Sequence, residues 1–199
     1  MGKASRHKGH VKAKSSRSSR GFMVVVAVIF VLGVALIALA KNDSTSSAKG
    51  LGPKINDHWH AAIGVNLCGT WQANLPQYES STGLHSHGDG FMHMHPFSAA
   101  GAGSNANVGL FYSQAGDKVS AGQVKFAKQT YKNGDTCDNL DKKPGLVRWS
   151  VNGQEKTGNP GRFVPKDHDV VAIAFLPKGV DIGTPPVATA GANPSDVSR

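Results

Sequence analysis

The chain has 199 residues, enough for one domain with tails. Its formal charge of +9 invites a polyanion-binding reading, but seven of its 22 Lys and Arg fall within residues 1–20 and no Asp or Glu precedes Lys41. The remainder holds 15 basic and 13 acidic residues, a near balance that excludes nucleic-acid binding as a bulk property.

Residues 1–20 are basic, rich in small polar side chains and free of acids, the composition of a disordered tail. Residues 21–40, GFMVVVAVIFVLGVALIALA, carry no charge and are long enough as a helix to cross the roughly 30 Å hydrocarbon core. They are expected to form one transmembrane helix. The basic flank places the N-terminus in the cytoplasm and exports the chain beyond residue 40, so the protein reads as a single-pass cell-membrane protein whose first predicted partner is the lipid bilayer. A cleaved signal peptide competes, because Ala38-Leu39-Ala40 fits a small-x-small cleavage site, but twenty apolar residues exceed the usual h-region. Residues 41–56 read as a flexible linker, and residues 184–199 as a disordered tail. Residues 57–183 remain as one exported, strand-dominated α+β domain.

Within it, WHAAIGVNL alternates, with Trp59, Ala61, Ile63, Val65 and Leu67 on one face and His60, Ala62, Gly64 and Asn66 on the other, His58 continuing the second set. Val108, Phe111, Tyr112 and Ala115 have helical spacing, with Ser104 or Asn105 as N-cap. GLVRWSVNG followed by QEKTG predicts a hairpin turning at Asn152-Gly153, and DVVAIAFLP a buried strand. Cys68 and Cys137, the only cysteines, are expected to form a disulfide in an oxidising compartment.

The histidines carry the chemistry. Six of nine lie between His58 and His95, in three His-x-His pairs: His58 and His60, His85 and His87, His93 and His95. GLHSHGDGFMHMHPF reads as a hairpin around Gly88-Asp89-Gly90, which sets His85 opposite His93 and His87 opposite Phe91. Alternation then sends the four hairpin histidines to one face and Leu84, Met92 and Met94 to the core. Imidazoles across a strand pair can close on one ion at bonds of about 2.0 to 2.1 Å. All six are therefore expected to ligate a transition metal, zinc and copper foremost, with the hairpin four as the heart of a single site and His58 and His60 completing it. Asp57 and Asp89 are available as ligands or as partners orienting an imidazole, although both positions also suit turn formers. His168, in a turn before a strand, is left outside.

G-x-S-x-G, H-E-x-x-H, C-x-x-C and phosphate-binding glycine loops are all missing from the sequence, so it identifies no catalytic residue and no organic cofactor site. Three functions fit: a metal-binding module, a metalloenzyme with an open coordination position and Asp57 or Asp89 as base, or a structural or interaction domain of the cell envelope with an unidentified protein partner.

DHWHAAIGVNLCG, GLHSHGDGFMHMHPF and the segment from Val151 to Pro186 together resemble a chiefly actinobacterial family of membrane-anchored exported proteins with paired His-x-His motifs. That resemblance implies topology and a His-rich site, and no reaction. The region from Val147 to Phe175 is more loosely similar to the closing strands of β-grasp domains, without their terminal Gly-Gly. Protease added to intact cells is expected to remove residues 57–183 and spare residues 1–20; protection of the C-terminal domain would overturn the topology.

Overall fold

The computed structural model describes residues 21–30 and 52–195. Residues 21–30 are helical (α1), and among the described residues no helix is long and apolar enough to cross a membrane. The expected span over residues 21–40 continues outside the described residues, as do the tail at residues 1–20, most of the linker, and residues 196–199.

The rest is a strand-dominated α+β unit. Its main sheet contains β1 (Trp59–Leu67), β2 (Thr70–Trp71), β3 (Leu84–His85), β4 (Phe91–Met94), β8 (Thr136–Cys137), β9 (Lys143–Val151), β10 (Gln154–Lys156) and β11 (Val170–Pro177). The strand order is β10-β9-β11-β1-β4-β3, with β2 beside β1 and β8 beside β9. β11 runs parallel to β1 and every other pairing is antiparallel, so the sheet is mixed. A separate meander of β5 (Lys118–Ser120), β6 (Gln123–Phe126) and β7 (Gln129–Lys132) comes after the helix α2 (Val108–Gln114).

The expected alternation of β1 holds. Ala61, Ile63, Val65 and Leu67 enter the main core with Leu84, Met92, Met94, Val171, Ile173 and Phe175, beneath Val108, Phe111 and Tyr112 of α2. Met92 and Met94 are fully buried there, core residues as their parity requires. The Asn152-Gly153 turn joins β9 to β10 with φ of 51° and 77°, the left-handed pair that a two-residue type I′ hairpin demands.

Three expectations need correction. The N-cap of α2 is Asn107, whose Oδ1 accepts from the Leu110 N–H at 2.8 Å; Ser104 and Asn105 belong to a preceding 3₁₀ turn. The linker boundary moves, because Pro53 is buried and its carbonyl accepts from the Gly103 N–H at 2.8 Å. Residues 184–195 are no loose tail: α3 (Pro186–Thr189) packs Val187 against Ala62 and Phe91, apolar surface that the His-bearing face of the sheet would otherwise expose.

Cys68 and Cys137 form the expected disulfide, fastening the end of β1 to β8 across 69 residues of sequence. In the chain-entropy account a loop of that size contributes about 4 kcal/mol. Replacing both cysteines with alanine is expected to lower the unfolding free energy by about that amount in urea denaturation; a loss below about 1 kcal/mol would show that the crosslink is energetically idle.

Candidate metal centre

The histidines are arranged by register. β1 pairs with β4 so that His60 faces His93, and β3 pairs with β4 so that His85 faces His93, which places three imidazoles side by side across three strands. Trp59 faces Met94, so His58 and His95 flank the end of the same ladder, where the His95 N–H donates to the Gly83 carbonyl at 2.9 Å. Gly83 has φ 85°, and a Cβ there would sit 2.0 Å from the His95 carbonyl oxygen, so only glycine admits this close approach.

The loop departs from expectation at one point. Gly88 and Gly90 take the left-handed φ values of 81° and 89°, but β3 leaves the ladder after His85 and Ser86 pairs with Tyr78 instead of continuing to His87 opposite Phe91. His87 nevertheless turns back over its neighbours, with its ring centroid 4.5 Å from that of His93 and 4.9 Å from that of His85.

The six rings form two groups. In each of the triads His85–His87–His93 and His58–His60–His95, one ligand nitrogen per ring lies within 4.8 Å of the others. His85 and His87 bring their Nε2 atoms to 3.2 Å, and His60 and His95 bring theirs to 3.4 Å. Two nitrogens bound to one tetrahedral ion at about 2.0 to 2.1 Å stand about 3.3 to 3.4 Å apart, so these spacings fit shared coordination. Every residue expected to ligate is thus at the site, but His95 joins His58 and His60 and not the hairpin partners with which the sequence grouped it.

The carboxylates divide as well. Asp89 accepts from His93 Nε2 at 3.0 Å, the arrangement that fixes a ligating imidazole by its far nitrogen and leaves the lone pair on Nδ1. The loop holds Asp89 in turn, through the Phe91 N–H at 3.1 Å and the Ser195 N–H at 3.0 Å. Burial raises its pKa, but those two backbone hydrogen bonds and the neighbouring His93 together outweigh burial and hold the carboxyl below its ordinary range. Asp57 accepts from the Lys54 N–H at 2.7 Å and forms a turn. His168 is exposed and contacts Asp167, outside both triads.

Sequence reasoning missed Asp167. Its Oδ1 accepts from the His60 N–H at 2.8 Å, just before the parallel ladder begins at Ala62 and Val170, and so anchors the histidine-bearing end of β1. A partner 107 positions away leaves no local signal. Asp167 and His168 also line a groove of about 590 Å³, with His58, His60, Ala62 and Phe91 on its sheet side and Ala188 on its C-terminal side. Set against protein families, curated proteins and solved structures, the chain matches none.

Burial is the largest influence on His85, lowering its pKa below the ordinary 6.5, with the nearby His93 and His87 adding to the effect and Glu79 and the Gly83 carbonyl opposing it. A depressed imidazole pKa contributes stability that is present above the unfolded-state value near 6.5 and lost as pH falls through the folded-state value. Stability of the metal-free chain is therefore expected to decline on acidification below about pH 6.5, and His85→Asn to flatten that decline. An unchanged profile would mean that His85 is not desolvated.

Proposed function

We propose that this chain is a membrane-anchored, extracytoplasmic module that binds a transition metal through its clustered histidines, belonging with the actinobacterial proteins it resembles. The observation that carries this reading is the convergence of six imidazoles on one sheet face as two triads, with three of the rings fully or nearly fully buried: His93 at 0 % and His60 and His85 each at 6 % exposure. Buried imidazoles demand partners, and a cation shared by three of them satisfies the lone pairs together. Imidazole donors with a carboxylate behind one of them suit zinc and copper. When bound, the metal supplies a Lewis acid centre; the chain's residues hold it, orient its ligands and cover it.

Two further features support the exported, anchored part. Residues 21–40 are uncharged over the length of a bilayer crossing, and the disulfide suits an oxidising compartment. A β-grasp-like reading of the C-terminal part is supported by its last strand running parallel beside β1 and antiparallel to β9.

A second reading, a metalloenzyme with an open coordination position, is favoured by the groove that meets His58 and His60. Three histidines per ion leave a fourth position for water. Asp89 is committed to His93 and Asp57 to its turn, so the acid at the groove is Asp167.

The purified full chain is expected to retain a stoichiometric transition metal by elemental analysis, and a His85→Ala, His93→Ala variant to lose all or part of it while keeping its disulfide. Metal content unaltered by the double substitution would end this reading and leave a hydrogen-bonded envelope domain as the alternative.

A further inference from the structure

The sequence suggests one shared ion, and the geometry points to two. We infer that the face holds a two-ion centre with divided roles: an inner ion on His85, His87 and His93, and an outer, exchangeable ion on His58, His60 and His95 that opens to the groove. This rests on the metal-binding reading and adds the number of ions and the role of each.

The first support is that the triads share no residue, and the ligand nitrogens converge within each of them. Neighbouring strands stand about 4.8 Å apart and alternate residues along a strand about 6.7 Å apart, so His58, just before β1, and His87, beyond β3, lie at opposite corners of a grid too wide for one coordination sphere. The second support is adjacency. Across the divide, the ring centroids of His60 and His93 are 4.8 Å apart and those of His85 and His95 are also 4.8 Å apart, no farther than rings within a triad. The two ions would be neighbours.

Their surroundings differ. The inner triad has two buried members, and Asp89 sits behind His93, placing a negative charge beside that ion and fixing one ligand's orientation. Carboxylate support of this kind raises metal affinity roughly 10- to 100-fold. The outer triad has one buried member, with His58 exposed and both His58 and His60 on the wall of the groove. A cation already seated on the inner triad repels a second one close by, which weakens the outer ion further. Tight inner and labile outer binding result, and the groove gives the outer ion its route to a carrier or chelating donor.

Titration of the metal-free full chain with Co(II), monitored by visible absorption and equilibrium dialysis, is expected to show two ions per chain, the second bound at least about tenfold more weakly. His95→Ala should keep the tight ion and lose the weak one, whereas His87→Ala should lose the tight one; both positions are only partly buried, so the core is spared. With Cu(II) at both sites, electron paramagnetic resonance should show dipolar coupling that either substitution abolishes. A chelator should remove the outer ion first. One ion per chain, lost in both variants, would overturn the two-ion inference and leave metal binding intact, whereas no uptake at all would sink both. Two equivalent ions, or faster loss of the inner one, would overturn the division of roles.

Discussion

The site depends on the register between β1, β4 and β3. Side chains in a strand alternate between faces, so a slip of one residue would move an entire histidine set into the core and expose its apolar neighbours. The core resists that slip: Ala61, Met92, Met94 and Leu84 are all fully buried on the far side of the same three strands. The free energy that places the histidines is therefore not their own. It comes from apolar groups one residue away on each strand, roughly 25 cal/mol per Å² removed from water, and the imidazoles are carried into line by it.

The same logic explains why polar anchors gather at the ends of the ladder. Where pairing stops, backbone donors lose their partners, and the structure meets each with a side chain or a neighbouring carbonyl. The His60 N–H finds Asp167, the His95 N–H finds the Gly83 carbonyl, and the Phe91 N–H finds Asp89. Asp89 serves twice, since the carboxylate that closes the turn also receives His93 Nε2. Its third partner, the Ser195 N–H, joins the C-terminal segment to the loop, so the covering of the site and the orientation of one imidazole share a single carboxylate.

Much of this was legible in the sequence where the signal is local. Two-residue periodicity exposed β1 and the parity of Met92 and Met94, Asn152-Gly153 exposed a hairpin, and Gly88 and Gly90 exposed a turn with left-handed residues. The meander β5–β7 escaped because the turn between β6 and β7 places Ala127 and Lys128 at φ 48° and 71°, a left-handed pair without the Gly or Asn that normally announces it. The C-terminal cover escaped because its polar, Pro-containing composition is also that of a linker; only the apolar patch of Ala62 and Phe91, contributed by distant strands, gives Val187 something to bury. The division of six histidines into two triads was likewise out of reach, since it depends on which strand lies next to which.

Two imidazole nitrogens 3.2 Å apart suit a shared proton as well as a shared ion, so the pair distances alone do not choose between a hydrogen-bonded network and a metal centre. The third ring in each group is what the proposed ion accounts for. A proton links one donor to one acceptor and gains little from a third nitrogen drawn into the same small volume, whereas an ion gains another bond with every lone pair aimed at it. His87 leaves the ladder and yet folds back onto His85 and His93, and His95 closes with His58 and His60 from the opposite strand. Convergence by threes, achieved twice through unrelated local conformations, is what the proposed coordination would require and what a chain of hydrogen bonds would not. His85 with His87 and His60 with His95 already stand within hydrogen-bond distance, so the register set by the core presents both triads assembled for the proposed ion.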